Sequence, residues 1–367
     1  MSTKLELHKE LIMAKLPTAF CHASTIVKLR NGGLMCCWFG GSHEGKADVA
    51  IYSARRKSCL LANAGQEANL GDNSSGFEAG SEALEAGSGW GAPVKLADGA
   101  SANWNPVLFY REDGTLVLFY KEGQQIANWR TIVMTSLDDG SSWSAPAELV
   151  AGDVSGGRGP VRNKLIRLAS GRVLAGGSTE HGIWRAFADI SDDNGISWHK
   201  SNAVAIAKLK YNEGEKTAES NIAVSSQSFY GRGVIQPSLW QSADGSVHML
   251  LRSSEGFVHR ADSTDEGESW SAAYPLTLPN NNSGLDLVAL ADGRLLLVCN
   301  PVAANWGMRS PLSLFMSEDD GHTWHKLIDL ETEKGEFSYP AIIAEDHDVY
   351  ISYTYDRKNI AVVKIKI

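Results

Sequence analysis

The sequence predicts an all-β fold, a six-bladed β-propeller built from four-stranded antiparallel blades. Three observations predict it. An eight-residue box recurs four times, as SLDDGSSW (136–143), SDDNGISW (191–198), STDEGESW (263–270) and SEDDGHTW (317–324). Each box follows two β-rich runs around a tight turn, and two further copies of the paired runs occur without a box. Repetition of this kind marks small sheets arranged radially about an axis.

Taken in order, the paired runs are STIVKLRNGGLMCCWF (24–39), PVLFYREDGTLVLFYKEG (106–123), KLIRLASGRVLAGGS (164–178), PSLWQSADGSVHMLLRS (237–253), LVALADGRLLLVCN (287–300) and PAIIAEDHDVYISYTY (340–355). Asp-Gly or Ser-Gly between β-rich runs signals a hairpin. The second runs are almost continuously apolar, as strands covered on both faces are. Blades are expected at roughly 14–99, 100–155, 156–230, 231–279, 280–332 and 333–367 in a single domain. The last repeat supplies only three strands, so KLELHKELIM, within residues 1–13, is expected to donate the fourth and remove an exposed edge. A short helix is the competing reading of that segment. Residues 60–89, rich in Gly, Ala, Ser and Glu, stand where the first box should be and read as a surface insertion. Residues 203–235 lengthen the connection between the third and fourth repeats.

Within each box the serine and aspartate suit hydrogen bonds to turn amides, the glycine suits a positive φ, and the tryptophan covers the hairpin. The spacing is not that of a calcium loop. The boxes therefore report architecture, and function has to lie elsewhere.

Composition narrows the classes. A chain of 367 residues with 43% hydrophobic content and a net charge of −9 is soluble and acidic, which disfavours nucleic acid or an anionic membrane as partner. With no signal-peptide start and no long apolar run, a cytoplasmic location is the default. The five cysteines form no CxxC pair and read as packing residues. Neither metal nor cofactor is expected, because no ligand-spaced His and Cys cluster and no phosphate-binding glycine loop occurs.

The turn joining the first two strands of a blade shares a face with the turn joining the last two. Strand-one starts and strand-two ends therefore meet at the opposite mouth. Counting about nine residues back from each hairpin turn gives His22, Asn105, Arg162 with Asn163, Gln236, Asp286 and Tyr339. Counting seven forward gives Phe39, Lys121, Ser178, Arg252, Asn300 and Thr354, and the following loops add Glu44, Asp48, Glu180, Arg309 and Arg357. Lys121, Arg162, Lys164, Arg252, Arg309 and Arg357 thus converge in a protein that is acidic overall, as recognition of an anionic sugar would need.

These boxes, with the segments HASTIVKLRNGGLMCCWFGGSHEGKADVAIYSAR, NWNPVLF, IQPSL, NSGLDLVALADGRLLLVCN and EFSYPAI, resemble the sialidase superfamily in its branch of BNR-repeat sialidase-like proteins. The resemblance covers essentially the whole chain. It implies an exo-glycoside hydrolase that removes a terminal, acidic sugar from an oligosaccharide or glycoconjugate. It implies Tyr339 as nucleophile, an exception to the two-carboxylate scheme, with Asp48 or Glu44 as the acid; His22, the one histidine that the register places deep in the mouth, is a further candidate participant on its own chemistry. Arg252 and Arg309 correspond to substrate-binding arginines; Gln236, Asn105, Lys121, Lys164, Glu180, Asp286 and Asn300 complete the expected binding set. Two positions depart from the pattern. His22 stands where the family has an arginine, and Gln236 stands where it has the glutamate that activates the tyrosine; a neutral amide cannot accept the proton of a phenol. Glu180, Asp286 and Glu336 are the candidate replacements. The departures keep two other readings open: a polysaccharide lyase acting on uronates, and a non-catalytic carbohydrate-binding propeller.

Overall fold

A computed structural model of the chain describes residues 6–57, 85–86, 89–206 and 231–367. Most of the expected insertion at 60–89 and most of the 203–235 connection lie outside the described residues. Regular structure among the described residues is almost entirely antiparallel strand, with one 3-10 turn at Ile126–Asn128. None of their helices is long and apolar enough to cross a membrane.

Consecutive strands assemble in fours. β2 (Phe20–Lys28), β3 (Leu34–Gly41), β4 (Ala50–Arg56) and β6 (Val94–Ala97) form one sheet, and β7 (Asn103–Tyr110), β8 (Leu116–Glu122), β9 (Arg130–Ser136) and β10 (Ala147–Glu148) form the next. β11 (Ile166–Arg167), β12 (Val173–Thr179), β13 (Ile183–Ser191) and β14 (His199–Lys200) precede β15 (Arg232–Gln241), β16 (Val247–Ser253), β17 (Phe257–Ser263) and β18 (Tyr274–Pro279). A short parallel bridge, Ile183 to Arg232 and Trp184 to Gly233, joins these two groups into one larger sheet. β19 (Asp286–Ala289), β20 (Leu295–Cys299), β21 (Leu312–Ser317) and β22 (His325–Glu331) follow. Finally β23 (Phe337–Glu345), β24 (Asp348–Tyr355) and β25 (Asn359–Lys366) pair with the N-terminal β1 (Glu6–Leu11), from Glu6 opposite Lys366 to Leu11 opposite Ala361. β5 (Glu85–Ala86) adds a parallel fifth strand beyond β1.

The hairpin glycines explain the first turns. Gly32, Gly114, Gly171, Gly245 and Gly293 all have φ between 82° and 92°, a region that other residues enter only at a cost. The apolar second strands lie between neighbouring groups. Met35 and Phe39 share a core cluster with Trp104 and Leu118, Phe119 shares one with Val173, and Leu174 shares one with Met249. Leu250 shares a cluster with Leu297, Leu314 with Ile351, and Tyr350 and Val362 with Cys36 and Trp38. The last group therefore packs against the first. Burying such side chains is worth about 1.5–3 kcal/mol each. Cys21, Cys36, Cys37 and Cys299 are free and buried; Cys59 lies outside the described residues.

All four boxes form the same turn. The serine oxygen accepts the glycine amide at 2.8–2.9 Å, in Ser136 with Gly140 and its three counterparts. The aspartate accepts the amide four residues on, in Asp138 with Ser142 at 2.8 Å and again from Asp193, Asp265 and Asp319. Each box also clasps the hairpin of the preceding group. Arg30 donates to Asp139, Arg111 to the Gly195 carbonyl, Arg172 to the Glu266 carbonyl and Ser242 to Asp320.

Candidate active site

The site is built on a repeated defect in the first strands. Pairing slips between His22 and Thr25, Trp104 and Val107, Ile235 and Ser238, and Ser338 and Ala341. At these bulges Ala23, Asn105, Gln236 and Tyr339 adopt left-handed φ values of 53°, 44°, 56° and 53°. Non-glycine residues reach that region only when their surroundings hold them there, and bulges re-aim side chains. The holding groups come from neighbouring sheets. The Ala23 amide donates to Thr354 Oγ1 at 3.0 Å, Asn105 Nδ2 to the Val161 carbonyl at 3.0 Å, and the Gln236 amide to Ser178 Oγ at 3.3 Å. Arg162, 1% exposed, donates to the Tyr339 carbonyl and to the Pro340 carbonyl at 2.9 Å.

Above the bulges opens a cavity of about 890 Å³. Tyr339 stands in it, its hydroxyl accepting a hydrogen bond from Arg252 Nη1 at 2.6 Å. The guanidinium carbons of Arg252, Arg309 and Arg162 lie 5.7, 5.3 and 5.4 Å from its ring centre, within cation–π range. Arg357, in the turn after β24, supplies a third cavity guanidinium. Its Nε donates to Glu336 Oε1 at 2.5 Å and its Nη1 to Glu44. Arg309 donates to the same Glu336 oxygen at 2.8 Å. Glu336 thus bridges two cations. Burial pushes its carboxyl up, but Arg309 and Arg357 outweigh burial and hold it below the usual range.

His22 packs on Tyr339 with ring centres 4.3 Å apart. Burial, reinforced by Arg357, Arg309, Arg162 and Arg252, holds its pKa well below the ordinary value, so the ring is neutral at pH 7. Thr354 Oγ1 already accepts the Ala23 amide and lies 2.9 Å from His22 Nδ1. Glu180, 9% exposed, is pushed up to about 7 by burial, against the opposing pull of Arg252. It is half-protonated at neutrality. Trp104 and Trp129, packed 5.2 Å apart, and Ile126 add apolar lining to the cavity. With Glu180 protonated, Arg252, Arg309, Arg357 and Lys334 face the carboxylates of Glu44 and Glu336, a net charge of +2.

Of the residues the sequence proposes, His22, Glu44, Asn105, Glu180, Gln236, Arg252, Arg309 and Tyr339 line the cavity. Five do not, which corrects the sequence reading. Asp48 is exposed and caps its own loop, its two oxygens taking the Ser42 amide at 2.8 Å and hydroxyl at 2.9 Å. Lys121 is fully buried, donating to Thr131 Oγ1 at 2.6 Å and to the Arg158 carbonyl. Lys164 pairs with Asp286 at 2.9 Å, and Asp286 also accepts the Ser238 hydroxyl and the Ile342 amide. Asn300 binds the Pro311 and Phe337 carbonyls. These four tie sheets together. Asn282, Trp306 and the apolar pair Trp104 and Trp129 were not foreseen at the cavity; the polar PNNNS run at 279–283 is the sequence feature from which the first could have been found. Among the described residues no group of three or more His, Cys, Asp or Glu is placed to hold a metal ion.

The chain is thus a set of antiparallel sheets, mostly four-stranded, with a cavity above its strand-one bulges. Residues 32–351 match the BNR repeat-like domain, and the chain belongs to that family. It is similar in fold to a Dyadobacter fermentans protein of unknown function (16% identity, 98% of this chain and 99% of that one, TM-score 0.68). It is also similar to a Hadza microbial sialidase (15% identity, 95% and 66%, TM-score 0.69) and to the NanB sialidase of Streptococcus pneumoniae (11% identity, 97% and 70%, TM-score 0.69).

Proposed function

We propose that the protein is a sialidase-like exo-glycoside hydrolase, on a six-bladed propeller, that removes a terminal acidic sugar from an oligosaccharide. The observation that carries this reading is Tyr339, bonded through its hydroxyl to Arg252 in a cavity with Arg309 and Arg357. Guanidinium forks match a carboxylate in geometry as well as charge. Arg357 makes up the cation count that His22 leaves short, although it enters from the turn after β24. In this reading the arginines hold the anionic group, and Tyr339, or a water it holds, attacks the anomeric carbon. Glu180, whose carboxyl burial pushes up to about 7, gives its proton to the leaving oxygen as the glycosidic bond breaks, and the proton shed by Tyr339 or the attacking water passes to solvent, from which Glu180 is reprotonated. Glu44 orients Arg357.

The test is a panel of acidic oligosaccharides incubated with wild type and Tyr339→Phe and read by mass. Release of a terminal sugar by wild type, lost in the variant, supports hydrolysis. Binding without turnover across the panel would make the protein a lectin-like module. Growth of near-ultraviolet absorbance with no sugar released would make it a lyase.

A further inference from the structure

Asn280, Asn281, Asn282 and Ser283 follow β18 directly and are each at most 1% exposed. Four consecutive buried polar side chains are costly unless each has work to do. Asn280 organises the turn itself: its Oδ1 accepts the Asn282 amide at 3.1 Å and its Nδ2 donates to the Ser283 carbonyl at 3.3 Å. Asn281 Nδ2 donates to the Met308 carbonyl at 2.5 Å, and the Gly307 amide donates to the Asn281 carbonyl at 3.2 Å. The turn therefore grips the loop that carries Arg309. Asn282 does more. Its Oδ1 accepts Arg252 Nε at 2.7 Å, while its Nδ2 donates to Asn305 Oδ1 at 2.8 Å. A guanidinium can only donate, so the orientation of this amide is forced. Its backbone sits at φ 57°, where asparagine and glycine are the residues best tolerated.

One neutral side chain thus links the guanidinium on Tyr339 to the loop bearing the second arginine. We propose that Asn282 is a positioning residue that fixes Arg252 relative to Arg309 and, by being an uncharged acceptor, leaves the charge of Arg252 to the anionic group of the substrate. The proposal rests on the acidic-sugar reading above. Aspartate here would keep the acceptor, lose the donor to Asn305 and neutralise Arg252. Glycine would keep the backbone conformation and delete both bonds.

The full-length wild type, Asn282→Gly and Asn282→Asp are titrated by calorimetry with N-acetylneuraminic, glucuronic and galacturonic acids and with their methyl esters, and melting temperatures are recorded alongside. The expected result is that wild type binds at least one acid. Both variants should then bind that acid about 10-fold or more weakly, with ester affinity unchanged and Asn282→Gly melting within a few degrees of wild type. A purely structural role would weaken acid and ester alike. Acid affinity within about threefold of wild type in Asn282→Gly, or equal losses for acid and ester, would overturn the positioning role while leaving the acidic-sugar reading intact. Wild type binding none of the three acids would overturn that reading and the proposal with it.

Discussion

Glu180 gives the sharpest quantitative expectation. Burial raises its carboxyl from an ordinary 4.5 to about 7, with Arg252 opposing. At about 1.4 kcal/mol per tenfold change, that difference corresponds to about 3 kcal/mol of differential stability. The sign follows from which state holds the proton. Between pH 4.5 and 7 the folded protein keeps a proton that the unfolded chain releases, so the contribution is complete below the unfolded value and is lost as pH rises through about 7. Above that, the fold carries a buried ionised carboxylate. Glu180→Gln removes the titration while preserving shape. Urea unfolding of both proteins at pH 5 and pH 8.5 should show the variant gaining up to about 3 kcal/mol over wild type at pH 8.5 relative to pH 5. Identical differences at the two pH values would refute the reasoning. If Glu180 also carries the proton in catalysis, the wild-type rate should fall above about pH 7, and the variant should lose that limb along with most of its activity.

Other outcomes follow from the same geometry. Arg357→Met should lower kcat/KM on the best acidic substrate by about 10-fold or more, through loss of one charge-assisted contact, and steady-state kinetics on that substrate checks it. Asp48→Asn should leave kcat/KM within about twofold of wild type, because its oxygens serve Ser42 outside the cavity; a large loss would restore Asp48 to the mechanism. Asp320→Ala removes acceptors from Trp240 Nε1 at 2.9 Å and Ser242 Oγ at 2.6 Å. For a half-exposed box residue the expected cost is about 1 kcal/mol, measurable by calorimetry.

The four-stranded antiparallel sheets were legible because their signals are local. A glycine at φ near 85° after an apolar run, and a serine, aspartate and glycine at fixed spacing, each report a turn whatever surrounds it. The position of Tyr339, Gln236 and Asn105 was legible for a related reason, since the hairpin turn measures height along the strand. Height does not reveal direction. Lys121, Asp286 and Asn300 stand at mouth height, yet their side chains point to neighbouring strands, because a strand alternates faces residue by residue. The bulges were not foreseen, and they turn Tyr339 and Gln236 inward. Asp48 was misplaced because a single loop carboxylate has two competing solutions, the cavity and its own Ser42, and only the folded loop chooses. Arg357 and Glu336 carry no repeat signal of their own; the sequence offered Arg357 as a loop addition and Glu336 only as a candidate base. Their pairing brings together the start of β23 and the turn after β24 with Glu44 from the first sheet.

The central claim is that this cavity holds an acidic sugar by its anionic group. A crystal structure of the protein soaked with the acid that binds best tests it most directly. The account predicts carboxylate oxygens within hydrogen-bond distance of Arg252, Arg309 and Arg357, and the anomeric carbon facing the Tyr339 hydroxyl. A sugar bound on another surface, or one whose carboxylate faces the Trp104 and Trp129 wall, would contradict it.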